Sequence, residues 1–147
     1  VGLVACCDMA IASPEAAFCL SEVKVGMIPA TIAPYVVRAI GPRASRRYFT
    51  TAELISADKA FTLGLVSEVV ASEELDNCIA GITKSLLRNG PRGVGEAKRL
   101  VLDVADGEIN ADMIADTSQR IAETRGSDEG REGLTAFLEK RKPAWIQ

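Results

Sequence analysis

The stretch FCLSEVKVGMIPATIAPYVVRAIG, residues 18–41, carries the change of local structure on which the reading of the chain turns. An apolar, strand-like run ends at Leu20, Glu22 follows almost at once, and Gly26 and Pro29 break VKVGMIPA before a helical pattern resumes. Glu22 is therefore expected near the end of a strand, in the kind of loop on a rigid support that commonly carries reactive groups. The residue types alone are also met by a solvated or N-capping glutamate, the ordinary state of this side chain.

Working outward, the flanks share this short-element character. VGLVACCDMAIAS (1–13) is an apolar opening with a polar step at Asp8, and it reads as a domain entered in mid-element. DMAIAS and AAFCL read as short strands, and LGLVSEVV as another that follows the helix stop Gly64. TIAPYVVRAIG and PRASRRYFTT read as two short helices separated at Gly41 and Pro42, with Pro42 suited to a first helical turn, and Ser56 is the expected cap of ADKAFTL. Residues 1–70 thus form one region of short mixed elements.

From 71 to 147 the pattern changes to longer amphipathic helices. Leu75, Ile79, Ile82 and Leu86 form one apolar stripe, Val94, Ala97, Val101 and Val104 a second, and Ile109, Met113, Ile114 and Ile121 a third, with NGPRG as a turn between the first two. A fourth helix is expected to begin at Ser127. Asp128 and Glu129 suit its positive end, and Lys140, Arg141 and Lys142 its negative end. Helices in series of this kind read as a packing or assembly region.

With 48% hydrophobic and 25% charged residues the composition is that of a globular protein, and a net charge of −3 gives no general affinity for nucleic acid or an anionic membrane. No run approaches the roughly 18 apolar residues of a membrane span, so a cytoplasmic or mitochondrial-matrix protein is the expectation. The chain has no histidine, which removes the Ser/His/Asp and Cys/His nucleophile sets and the ordinary zinc sites, so no metal is expected. Cys6, Cys7, Cys19 and Cys78 have no metal or redox spacing and read as buried free thiols. Acid–base chemistry falls mainly to carboxylates, Lys, Tyr, Cys or water.

ACCDMAIAS, FCLSEVKVGMIPA, RAIGPRASRRYFTTAELISADKAFTLGLVSEVV and SDEGREGLTAFLEKRKPAW, in that order, resemble the C-terminal half of the enoyl-CoA hydratase/isomerase, or crotonase, family. VGLVACCDMAIAS and LSEVKVGMIPA are most similar to hydratases of methylglutaconyl-CoA or related 3-branched acyl-CoAs. The resemblance implies an α/β fold, a spiral of ββα turns followed by helices that pack subunits into trimers, often paired as hexamers. It also implies an acyl-CoA substrate whose coenzyme A is part of that substrate, with no further cofactor. The thioester oxygen would meet two backbone N–H groups that stabilise an enolate. Two glutamates around one water would move the protons.

Carried over residue by residue, Glu22 matches the second of these glutamates. The first falls on Gly2, which has no side chain to hold water or transfer a proton, so the two-carboxylate pattern is broken here. Ala30 matches the position whose backbone N–H meets the reactive water, and it is also an ordinary turn residue. Phe137 and Lys140 match positions near the coenzyme A adenine and phosphate contributed by a neighbouring subunit. Phe137 could equally pack with Leu134 and Leu138, and Lys140 could simply favour a helix end. Asp8 is expected to be structural, and Arg46 and Arg47 to be surface or subunit contacts.

Hydration of a 2-enoyl-CoA is the first expectation. Enoyl-CoA isomerisation by one glutamate and an inactive assembly module are the alternatives. The oxyanion-hole segment is expected before Val1, in a missing N-terminal half of the same domain. These residues alone are expected to be inactive and poorly stable as a monomer.

Overall fold

The computed structural model describes residues 1–146, and these fall into two compact units that divide between Ala80 and Gly81. The division falls inside a helix, later than the change in sequence pattern after residue 70.

In the first unit the elements are short because each apolar run is cut by a turn signal within a few residues. A one-turn helix α1 (Gly2–Ala5) leads to β1 (Ile11–Ala12) and β2 (Ala17–Phe18), and a 3₁₀ turn (Glu22–Val25) precedes α2 (Ala33–Thr51). Then come β3 (Ile55–Ser56), α3 (Ala57–Leu63) and β4 (Glu68–Val69). β1 pairs in parallel with β4, Ile11 opposite Glu68 and Ala12 opposite Val69. β2 pairs antiparallel with β3, Ala17 opposite Ser56 and Phe18 opposite Ile55. α3 packs on β2, β3 and β4, so its Ala57 and Ala60 are wholly buried.

Leu20, Val36 and Ile55 are the largest fully buried side chains, and Ile40, Tyr48 and Leu65 complete the core around them. Removing a side chain of this kind costs about 2–5 kcal/mol.

Local signals explain the boundaries. α2 is broken at Gly41, whose φ of 76° and ψ of 161° leave the helical region, and Pro42 restarts the helix where its missing N–H is not needed. Ser45, buried, returns a hydrogen bond to the Gly41 carbonyl at 2.8 Å. The Ser56 hydroxyl accepts from Lys59 N at 3.3 Å, and Gly64 ends α3 at φ 79°, both at the expected positions. LGLVSEVV contributes less strand than expected. Leu65 and Val66 are buried in the turn after α3, held by N–H groups that donate to the Ala60 carbonyl, and pairing starts only at Glu68.

The cysteine expectation is corrected. Cys6 and Cys7 are exposed in this chain, and Cys19 and Cys78 are half-buried. α1 turns Val1, Val4 and Ala5 towards the core and ends there, which leaves the two following thiols outside. Cys19 donates to the Ala52 carbonyl at 3.4 Å and Cys78 to the Glu68 carboxylate at 3.3 Å, and the Glu68 hydrogen bond pushes the Cys78 thiol up. A thiol that donates to a carboxylate is held in its protonated form, which lowers its thiolate fraction.

After a 3₁₀ turn at Ser72–Glu74, α4 (Leu75–Leu87) runs into the second unit, where α5 (Pro91–Val104), α6 (Ala111–Gly126) and α7 (Asp128–Leu138) pack on one another. Ser127 caps α7 as expected, its hydroxyl accepting from Gly130 N at 3.1 Å. Glu129 of α7 also caps α5, accepting from Gly93 N at 2.7 Å and Arg92 N at 3.0 Å. Gly90 lets this carboxylate approach closely, since a Cβ there would push the Glu129 side chain aside.

The second and third apolar stripes are covered only in part. Val94 and Val104 of the α5 stripe are half-buried, as is Leu100, while Ala97 and Val101 are exposed; in the third, Ile109, Ile114 and Ile121 are exposed while Met113, Thr117, Arg120 and Thr124 form the inner face of α6. Arg120, on the inner face of α6, bridges Asp103 of α5 and Asp116 of its own helix.

The basic triplet is also relocated. α7 ends at Leu138 with no basic residue in its last turn, and Lys140 follows in a left-handed conformation at φ 53°. Arg141 folds back and grips Glu132 with both guanidinium nitrogens, at 2.6 and 2.9 Å, and Glu139 at 2.7 Å. Glu132 also accepts from Ala144 N at 2.8 Å, and Trp145 Nε1 donates to the Arg88 carbonyl at 3.2 Å.

The Arg141 hydrogen bond, followed by that of Ala144 N–H, holds the Glu132 carboxyl down at about 2 against an ordinary 4.5. Its folded-state pKa is depressed, so its stabilisation is complete above 4.5 and is lost as the pH falls towards about 2. Thermal unfolding followed across that interval is expected to be less acid-sensitive in Glu132→Gln than in the parent chain.

Candidate active site

Glu22 opens the 3₁₀ turn and is held from both sides. On the N-terminal side Leu20 is 1% exposed and anchors the segment in the core. On the C-terminal side Gly26 ends the turn at φ 75°, its N–H donating to Val23 O at 3.2 Å, and Met27 N donates to Glu22 O at 3.0 Å. The turn is the physical reason for Gly26. Nothing lies within 4 Å of a Cβ there, so backbone conformation alone calls for glycine.

The Glu22 side chain is half-buried, and its Oε2 is the buried side-chain oxygen or nitrogen that lacks a hydrogen-bond partner among the described residues. Buried polar atoms are nearly always paired, because leaving one unpaired costs roughly 1–3 kcal/mol. The segment beyond the carboxylate is apolar: Val25, Met27 and Ile28 are all exposed in this chain, Ile28 by 72%. Pro29 is buried and fixes the turn into α2. A half-buried carboxylate oxygen without a partner among the described residues, in a turn followed by apolar residues, is free to accept a proton, as general-base chemistry requires.

Gly2 and Ala30 lie in the same unit as Glu22. α1 packs on α2, and α2 packs on the 3₁₀ turn that begins with Glu22. Gly2 lies against Ile32, so closely that a Cβ would overlap Ile32 Cγ2. The Ala30 N–H donates to the Ile28 carbonyl at 2.9 Å, a tight i to i+2 turn, and it reaches a water only by sharing or giving up that bond.

Phe137 and Lys140 lie in the second unit. Phe137 is 80% exposed, as are Leu138 and, less fully, Leu134, so the helix face shared with those leucines does not bury it in this chain. In the same unit a cleft of about 250 Å³ opens between α5 and α6 beside Leu100, Thr117 and Ile121, and no sequence-predicted site residue lines it.

Arg47 pairs with Glu53 at 2.7 Å on the surface and lies over the Tyr48 ring at 5.5 Å. No cluster of His, Cys, Asp and Glu able to hold a metal is found among the described residues, and no described helix is long and apolar enough to cross a membrane. Sequence reasoning missed Ile32. No signal in the local pattern ties it to Gly2, because that contact exists only once α1 and α2 are packed.

Comparison with known proteins assigns this α/β chain and its carboxylate-bearing turn to a family. The sequence model described as enoyl-CoA hydratase/isomerase matches residues 1–147, and the chain belongs to that family. A crotonyl-CoA hydratase of Syntrophomonas wolfei is 33% identical over 145 residues, covering 98% of this chain and 55% of that protein. The crystal structure of an enoyl-CoA hydratase from Shewanella pealeana superposes with a TM-score of 0.92 at 48% identity, covering 98% of this chain and 54% of that one. A structure from Legionella pneumophila, described as a putative enoyl-CoA hydratase/isomerase (crotonase), gives 0.94 at 46% identity, covering 98% and 56%. The chain spans about half the length of the curated relatives it matches.

Gly26→Ala is expected to destabilise the chain by about 1–2 kcal/mol, the left-handed penalty of an L-residue, with Gly26→Asn costing less. Thermal melts by circular dichroism measure this difference, and equal midpoints for all three proteins would count against the turn as the holder of Glu22.

Proposed function

We propose that the protein carrying this chain is an enoyl-CoA hydratase that adds water across the double bond of a 2-enoyl-CoA thioester, with Glu22 as its acid–base group. The observation that carries the reading is the half-buried Glu22 whose Oε2 has no partner, in a chain of the enoyl-CoA hydratase/isomerase family. Glu22 takes a proton from water as the hydroxyl oxygen bonds to C3, and the C2–C3 π electrons pass to the thioester oxygen as an enolate. Glu22 then returns the proton to C2 as the enolate collapses. Water is consumed and the carboxylate is regenerated.

The proposed acyl group is 3-branched, of the methylglutaconyl type, on the similarity of VGLVACCDMAIAS and LSEVKVGMIPA. Phe137 and Lys140 are proposed contacts of coenzyme A in a homotrimer or hexamer, the exposed Phe137 offering a ring for adenine and Lys140 a mobile charge for phosphate. The apolar side chains that α5 and α6 leave exposed, Val101, Ile114 and Ile121, support assembly.

Isomerisation is the second reading. It needs one base that moves a proton between C2 and C4, and it is favoured by the packing of Ile32 against Gly2, which leaves no room for a second carboxylate at position 2. Full-length protein incubated with a 2-enoyl-CoA and separately with a 3-enoyl-CoA distinguishes the two, by incorporation of labelled water in the first or bond migration in the second. Glu22→Gln is expected to lower the operative rate by roughly 10²–10⁴-fold with an unchanged melting curve. Near-normal turnover in that variant overturns the role of Glu22.

A further inference from the structure

Gly2 is the first residue of α1, and Ile32 directly precedes α2. A Cβ on Gly2 would overlap Ile32 Cγ2 and stand 3.0 Å from Ile32 Cβ. The obstructing atoms are the branch and root of a β-branched side chain, not a flexible tip, so rotation about χ1 gives little relief.

The backbone on both sides is also held. The Ile32 carbonyl accepts from Tyr35 N at 3.1 Å and Val36 N at 3.0 Å, and Val36 is completely buried. Val4 and Ala5 pack the opposite partner, α1, against the same core. Any side chain at position 2 therefore requires a helix to shift or Ile32 to shrink.

We propose that Ile32 is the specificity-determining residue that holds this site to one side-chain carboxylate. Its methyl branch takes the room a residue-2 side chain would need, so Glu22 alone transfers protons. On the proposed function the Ile32 methyl branch, not a carboxylate, borders the acyl group, which suits an enoyl thioester that carries an apolar branch at C3. The inference rests on the reading of Gly2 as a position facing the substrate. Ile32 itself transfers no proton; it acts through the space it occupies.

The test is a double-mutant cycle in the full-length protein: parent, Gly2→Glu, Ile32→Ala and Gly2→Glu/Ile32→Ala, each with a thermal melt and with kcat/KM for crotonyl-CoA and 3-methylcrotonyl-CoA. Glutamate is a better helix former than glycine and is favoured in a first turn, so any loss of stability in Gly2→Glu comes from the overlap. Gly2→Glu is expected to melt several degrees below the parent, and the double variant to recover the midpoint of Ile32→Ala. The double variant is also expected to hydrate crotonyl-CoA faster than Ile32→Ala does, with its preference for the branched substrate reduced by roughly 10-fold, the value of about one methyl group in an apolar pocket.

Gly2→Glu matching the parent in stability and activity overturns the proposal. So does a double variant that regains stability with no gain in crotonyl-CoA hydration over Ile32→Ala, which reduces the pair to packing. If the parent neither hydrates nor isomerises any enoyl-CoA, the proposed function fails instead, while the melts still decide whether Gly2 and Ile32 are sterically coupled.

Discussion

The placement of Glu22 depends on one constraint: Leu20 is buried and Gly26 turns left-handed, and the five residues between them follow a compact course. That course is the 3₁₀ turn, with Met27 N closing onto the Glu22 carbonyl. The carboxylate emerges half-buried, with one oxygen unpaired and apolar residues beyond it. Burial of Leu20 against Val36 and Ile55 gives the turn a rigid base. Orientation by a rigid base is what distinguishes a positioned acid from a surface glutamate.

The two units use different means to the same end. In the first, tiny paired strands and a kinked α2 surround an aliphatic core, and backbone signals such as Gly41, Ser56 and Gly64 set the boundaries. In the second, where few residues are fully buried, polar side chains link the helices: Glu129 to the start of α5, Arg120 to Asp103, and Arg141 to Glu132. Such exposed pairs are individually weak and screened by salt, so they set geometry more than stability. α6 turns its threonines and arginine inward and leaves Ile114 and Ile121 outside in this chain.

Gly2 and Ile32 show how an apparent deficit becomes a feature of the fold. Read in the sequence alone, Gly2 is a position without a functional group. Its packing against a branched side chain makes it part of a fitted contact between α1 and the residue that precedes α2.

Much of this was legible in the residues. Turn chemistry located the Gly41 break, the Ser56 and Ser127 caps and the Gly64 stop, because each depends on one residue's own conformational or hydrogen-bonding preference. The segment 18–41 marked Glu22, although its residue types alone left a capping role open. The helical stripes of α5 and α6, the exposure of Cys6 and Cys7, the fold-back of Arg141 and the Ile32 contact were not legible. Each of these depends on which face meets a distant neighbour. Periodicity says that a helix has an apolar side, but not which of its residues the neighbouring helices cover. The sequence by itself determined where the chain turns and which carboxylate stands at the turn. Only tertiary packing decided that this carboxylate keeps an unpaired oxygen and that position 2 has no room for another, because both are facts about space shared between segments far apart in the chain.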